Sequence, residues 1–214
     1  LCDKIFDAME RDIFEKLRQW KDSKNRKPLL LQGARQIGKT WIMREFGKRE
    51  FEFVAEFNID ETQNLKQVFA RSKDPKRLVA DLSLYTDVPI QPGRTLIIID
   101  EIQESEDALN SLKYFAEKAP EYAIIAAGSL LGVAVKKKNM AVPVGKVHVV
   151  KMFPLTFREF LREADIKTFQ YLENLSTLDH LPEIILSHLL EQYRRYSVCG
   201  GMPEAAAALL GGSG

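Results

Sequence analysis

Apolar residues along this chain follow two periods, one near 3.6 residues and one near 2, and each period predicts its own kind of element. Ile5, Met9, Ile13, Leu17 and Trp20 recur at spacings of three and four among charged residues, which predicts an amphipathic helix ending before the polar stretch Lys21–Lys27. Pro28-Leu29-Leu30-Leu31-Gln32 is a short apolar run of the buried-strand kind, and Trp41–Lys48 reads as helix. Phe51–Asn58 predicts a second strand. Helices follow near Glu61–Ala70 and Pro75–Tyr85, up to a loop marked by Pro89 and Pro92-Gly93. Thr95–Ile99 is nearly all β-branched, as in a strand buried on both faces. Leu109–Lys118 predicts a helix, Ala123–Ala127 a strand and Lys146–Met152 a fifth strand. From Pro154 onward the pattern is helical, clearest in Phe157–Leu161 and Ile184–Tyr196. Gly200-Gly201 reads as a helix-ending turn and Pro203 as the start of the next helix.

Strands separated by helices predict an α/β fold in three layers, a mainly parallel five-stranded sheet covered on both faces. The expected division is an N-terminal helix (1–27), an α/β core (28–153) and a helical lid or the start of a second domain (154–214). Composition changes this picture little. Hydrophobic residues make up 45% and charged residues 29% of 214 residues, enough to bury a core without disulfides or a structural metal. A formal charge of +1 supplies no global attraction to nucleic acid, so such binding would need a local basic patch. Cys2 and Cys199 lack any metal or redox spacing and read as reduced thiols, with a long-range disulfide between them as the alternative. No apolar run approaches the roughly 18 residues of a membrane span, and no signal-peptide pattern opens the chain. A cytoplasmic protein without a membrane partner is expected.

Chemistry enters at Gly33-Ala34-Arg35-Gln36-Ile37-Gly38-Lys39-Thr40, which fits G-x-x-x-x-G-K-[ST] at every fixed position. Gly33 and Gly38 allow a tight backbone whose N–H groups can face phosphate oxygens. Lys39 brings a positive charge to the β- and γ-phosphates, the Thr40 hydroxyl can ligate Mg²⁺, and the helix that begins here, with Trp41, adds its positive dipole end. The alternative is a glycine-bearing β-to-α turn with a solvated lysine. A chance match in such a chain is on the order of one in a hundred at ordinary residue frequencies, and the strand before and helix after make it rarer still. The expected ligands are therefore ATP and Mg²⁺, held by residues 33 to 41.

Such a loop needs a second metal partner at the tip of a neighbouring strand, and Leu96-Ile97-Ile98-Ile99-Asp100-Glu101 supplies one. Asp100 is placed to hold Mg²⁺, and Glu101 to polarise the attacking water as general base. The bland alternative is two solvated carboxylates capping the next helix. Ser129, at the end of the Ala123–Ala127 strand, is a candidate for contact with the γ-phosphate or the water, or else an N-cap serine.

In order along the chain stand Gly33–Thr40, Ile98 with Asp100-Glu101-Ile102-Gln103, Gly128-Ser129-Leu130-Leu131, Phe153-Pro154-Leu155-Thr156-Phe157-Arg158-Glu159-Phe160-Leu161 and Gly200-Gly201-Met202-Pro203-Glu204. With these the chain resembles the prokaryotic AAA-like P-loop ATPases that carry a C-terminal domain of unknown function related to restriction-endonuclease-like folds. The first two motifs are generic to P-loop ATPases; the last two are far more particular. The resemblance implies an ASCE-type core, with a strand between the P-loop and acidic strands, and helical lid elements after it. It also implies a longer parent protein. Many members have an arginine before the fifth strand, where this chain has Gly145-Lys146.

Weaker signals are Lys136-Lys137-Lys138, the only dense basic run and ordinarily a solvated face, and Arg158, Arg194 and Arg195 as candidates for an arginine finger. His148, His180 and His188 show no ligand spacing. The expected activity is Mg²⁺-dependent ATP hydrolysis that drives a change in the lid or a partner, in a DNA-related or defence process and with possible homo-oligomers. An ATP-gated switch with little turnover and a small-molecule kinase are the alternatives.

Overall fold

A computed structural model describes residues 10–62, 64–129, 143, 145–176 and 181–211, with only the backbone described at Ser129. The chain divides into two compact units, Ile13–Met152 and a second made of Leu1–Asp12 with Phe153–Gly214.

The larger unit is a parallel sheet. Its strands are β1 (Leu29–Gly33), β2 (Phe53–Asn58), β3 (Thr95–Asp100), β4 (Ala123–Ser129) and β5 (His148–Lys151), in the order β2-β3-β4-β1-β5. Every pair is parallel, so all five carboxyl ends lie along one edge of the sheet. β4 separates β1 from β3, the insertion that the resemblance implied.

Successive strand residues face opposite sides, and both sides are covered. On one side Leu30, Ala55, Phe57, Ile97, Ile99, Ile124 and Ala126 pack with α3 (Leu65–Arg71), α4 (Pro75–Leu82) and α5 (Glu106–Lys118). The other side carries α2 (Lys39–Glu50), which begins at the P-loop, and α1 (Ile13–Lys21) packs against α2. Gly47 lets α2 lie close on the sheet: a Cβ there would stand 2.6 Å from Val54 Cγ2 and 3.2 Å from Leu96 Cδ2. All six residues of β3 are buried, as expected for a strand with neighbours on both edges and helices on both faces.

The helix predicted from Ile5 does not run unbroken to Trp20. Glu10–Asp12 are not helical and α1 starts at Ile13; residues 1–9 lie outside the described ones. The reason is tertiary. Within the smaller unit the Asp12 N–H donates to Glu159 Oε1 at 2.9 Å and the Glu10 N–H to Glu163 at 3.2 Å. Arg11 Nε bonds Glu159 Oε1 at 3.0 Å, and its Nη2 donates to the Phe153 carbonyl at 2.9 Å. A segment with helical periodicity thus takes its partners from residues about 150 positions away.

The same unit accounts for the two most particular motifs. Thr156 and Glu159 form a reciprocal capping box that starts α6 (Phe157–Ala164). After α7 (Ile166–Glu173) and α8 (Glu183–Cys199), Gly200 adopts φ 63°, ψ −160°, a conformation close to glycine-only, and α9 (Pro203–Gly211) follows. The Gly201 carbonyl accepts from the Leu155 N–H at 2.7 Å, and Tyr196 Oη donates to the Leu155 carbonyl at 2.7 Å. A Cβ at Gly201 would sit 2.3 Å from that carbonyl oxygen. The Phe153–Leu161 and Gly200–Glu204 stretches are therefore two halves of one packing contact.

Candidate functional site

Because the strands are parallel, the chain leaves β1, β3 and β4 at the same edge. Gly33, Asp100 and Ser129 are the last residues of those strands, and Ser129 stands in register with Gly33. Asp100 is in register with Asn58 at the end of β2.

The loop from Gly33 to Lys39 is held from beneath. Ile37 is fully buried, and its Cδ1 lies where a Cβ on Gly33 would be, 2.5 Å away, with the Met152 carbonyl oxygen at 2.6 Å on another side. Only glycine fits at position 33 without moving backbone. Gln36 and Gly38 have φ of 62° and 88°, left-handed values that Gly38 adopts without steric cost. They turn the chain into α2, for which Gly38 is the N-cap. Ala34, Arg35 and Gln36 are exposed at the crown, and Trp41 packs edge-on against Phe14 with ring centroids 6.2 Å apart.

Lys39 is buried, and its ammonium folds back on the loop, donating to the Ala34 carbonyl at 2.6 Å and the Gly33 carbonyl at 3.2 Å. Burial lowers its pKa, Glu101 and Asp100 act against that by charge, and Arg35 adds to the lowering. Thr40 Oγ1 donates to Asp100 Oδ2 at 2.6 Å, a direct bond from the P-loop helix to the acidic strand. The pair presents hard oxygen donors side by side, the set suited to Mg²⁺.

Beyond Asp100 the chain turns sharply. Glu101 has φ 50° and ψ 41°, a left-handed position uncommon for a residue with a side chain. Its N–H donates to Asp100 Oδ1 at 2.9 Å. A 3₁₀ turn, Ile102–Glu104, follows, with Ile102 fully buried beneath it, and Ser105 caps α5 by accepting from the Ala108 N–H at 3.2 Å. Gln103 Nε2 donates to Glu101 Oε2. That contact went unread in the sequence, although Gln103 stood in the quoted motif. Asn58 was also missed: its Oδ1 accepts from the Asp60 and Glu61 N–H groups at 3.0 and 3.3 Å, and the Ile59 N–H donates to the Asp100 carbonyl at 3.1 Å.

Other sequence candidates are engaged in contacts of their own or belong to the second unit. Arg158 bonds Glu173 and Asp12, and Arg195 bonds Gln192 Oε1 and the Leu209 carbonyl. Both belong to the smaller unit, as does Arg194. Lys146 pairs with Glu117 at 2.8 Å. Lys136-Lys137-Lys138, His180 and Cys2 lie outside the described residues. No group of three or more His, Cys, Asp or Glu among the described residues is placed to hold a metal ion. No helix among them is long and apolar enough to cross a membrane.

The AAA domain family matches residues 25–161, from before β1 to within α6. No curated protein sequence matches the chain. Among solved structures it is similar to the Walker-type ATPase paby2304 of Pyrococcus abyssi, at 17% identity and a TM-score of 0.52, over 95% of this chain and 67% of that one. It is likewise similar to the ORC2 protein of Aeropyrum pernix (15% identity, TM-score 0.52, 95% and 61% of the two chains). PCH-2 of C. elegans matches at 12% identity and a TM-score of 0.50, over 97% and 64%. At these identities the likeness is one of fold. The chain spans about two thirds of the length of these structures.

Proposed function

This chain belongs to the AAA domain family, and from that premise and the geometry of the sheet edge we propose that it binds ATP with Mg²⁺ and hydrolyses it. The observation that carries the reading is the 2.6 Å bond between Thr40 and Asp100. It joins the two places in the chain from which a P-loop ATPase draws its metal partners. Support for phosphate binding comes from the glycine-only space at Gly33 and from the buried Lys39 ammonium beside it.

In this reading the loop N–H groups from Ala34 to Thr40 and the start of α2 receive the phosphates, and Lys39 exchanges its loop carbonyls for β- and γ-phosphate oxygens. Thr40 and Asp100 hold Mg²⁺, which neutralises charge on those oxygens when bound. Glu101 accepts a proton as water attacks the γ-phosphorus; the bond from that phosphorus to the bridging oxygen of ADP breaks, and phosphate leaves. Ser129, in register with Gly33, is assigned to the γ-phosphate or the water. Catalysis is then mostly positioning and electrostatics. Glu101 directly after Asp100 favours water as acceptor over a small-molecule hydroxyl.

The test is Mg²⁺-dependent phosphate release from ATP, with Lys39→Ala alongside. The proposal expects release in the wild type and loss of ATP binding and turnover together in the variant. Tight ATP binding with no release in the wild type would move the assignment to a nucleotide-gated switch. A DNA-linked role is supported by the family resemblance alone, and stimulation of turnover by added DNA in the full-length protein is its test.

A further inference from the structure

Gln103 is a polar residue with 5% of its surface exposed, two positions beyond Glu101 and within the 3₁₀ turn that Glu101 opens. An amide has two acceptor and two donor positions to satisfy. Here Nε2 donates to Glu101 Oε2, whereas Oε1 is buried and has no hydrogen-bond partner among the described residues. A buried acceptor left without a donor is a cost the fold rarely accepts, and one that calls for a reason. Turning the amide over would bring its oxygen against the Glu101 carboxylate and remove a charge-assisted bond, which is stronger than a neutral one. The amide is thus oriented by the carboxylate, at the expense of its own satisfaction.

The backbone makes the contact possible. The left-handed turn at Glu101 (φ 50°) and the fully buried Ile102 bend the chain so that residues 101 and 103 meet, which a helical continuation of the chain would not allow.

We infer that Gln103 is a positioning residue that holds the Glu101 carboxylate in the orientation from which it takes the proton of the attacking water. The inference rests on the hydrolase reading above. Gln103 itself touches no reacting atom. Its effect is geometric, and a displacement of about 1 Å in a catalytic group can lower a rate on the order of 100-fold.

The experiment compares wild type, Gln103→Leu, Glu101→Gln and the double variant in the full-length protein, measuring kcat and KM for phosphate release, ATP Kd and thermal midpoint. Leucine keeps the buried volume and removes the partnerless oxygen, so the midpoint is expected not to fall. The expected result for Gln103→Leu is a kcat lower by about 10- to 100-fold with ATP Kd within about twofold of wild type. In the Glu101→Gln background the same change is expected to have no further effect, because there is no base left to position. The inference is overturned if Gln103→Leu keeps its kcat, if its loss is matched by lost affinity or a lower midpoint, or if the two losses multiply in the double variant. A wild type without turnover overturns the hydrolase reading, a Glu101→Gln variant as active as wild type overturns the role of Glu101 within it, and either result overturns this assignment as well. Turnover that depends on Glu101 and is indifferent to Gln103 overturns this assignment alone.

Discussion

Replacing Glu159 with alanine tests the account of the helical unit with one substitution. Glu159 and Arg11 each expose 5% of their side chains and are bonded at 3.0 Å. The same carboxylate accepts from the Asp12 N–H at 2.9 Å, the Thr156 N–H at 2.8 Å and Thr156 Oγ1 at 3.1 Å. Removing one partner of a buried ion pair costs about 3–5 kcal/mol, and losing half of a capping box costs about 1 kcal/mol. The two overlap in Glu159, so the expected loss is about 4 kcal/mol rather than their sum. With a urea m-value of about 2 kcal/mol per M, the midpoint falls by about 2 M. Far-UV circular dichroism in urea reads this change. The fluorescence of Trp20 and Trp41, both in the Ile13–Met152 unit, is the control that the core is folded. Arg11→Met with Glu159→Met removes both charges and is expected to recover most of the loss, leaving about 1 kcal/mol for the cap. The reasoning is refuted by a midpoint for Glu159→Ala within about 0.5 M of wild type, or by a double variant less stable than Glu159→Ala.

Two further predictions concern the same unit. Gly201→Ala places a Cβ 2.3 Å from the Leu155 carbonyl oxygen, which is backbone and cannot swing aside, so a loss of about 1–3 kcal/mol is expected, read as a urea midpoint lower by about 0.5–1.5 M; unchanged stability contradicts the packing assigned to the glycine motif. For Asp12, burial raises the pKa but is outweighed by the hydrogen bonds and charges of Arg162 and Arg158, leaving it lowered; for Asp165, burial is outweighed by bonds from Thr168 and the charge of His188. Carboxylates depressed on folding contribute stability above their unfolded pKa of about 4, and lose it as pH falls through the folded value. The urea midpoint should therefore decline below about pH 4, less steeply in Arg162→Met; a midpoint that rises on acidification counts against the assignment.

How much of this was legible beforehand depended on the range of the interactions concerned. The P-loop is local: eight consecutive residues set the turn, the glycine positions and the start of α2, so spacing alone located it. β3 was equally plain, because a strand with neighbours on both edges and helices on both faces must be apolar throughout. The order β2-β3-β4-β1-β5 is not encoded in any window of the chain. The family resemblance implied only that one strand stands between those of the P-loop and the acidic pair; the places of β2 and β5 were not read. The break at Glu10–Asp12 was unreadable, since the residues that draw those N–H groups away from a helix lie at Glu159 and Glu163. Phe153–Leu161 and Gly200–Glu204 were recognised as family marks without a reason; the contact of Gly201 with Leu155 supplies it. At the site, Thr40 and Asp100 were named together as metal partners, but the direct bond between them joins residues 60 positions apart and could not be read from either motif. The Gln103 contact depends on a left-handed residue at Glu101, a conformation that glutamate does not announce in sequence.

The central claim is that the edge formed by β1 and β3 hydrolyses ATP, with Glu101 acting on the water after the nucleotide is bound. A single-turnover measurement of phosphate release at saturating ATP and Mg²⁺, comparing wild type with Glu101→Gln, tests it most directly. The account predicts that Glu101→Gln binds ATP as tightly as wild type and releases phosphate at least about 100-fold more slowly, the scale of removing a general base. Equal release rates in the two proteins, with ATP bound in both, would contradict it.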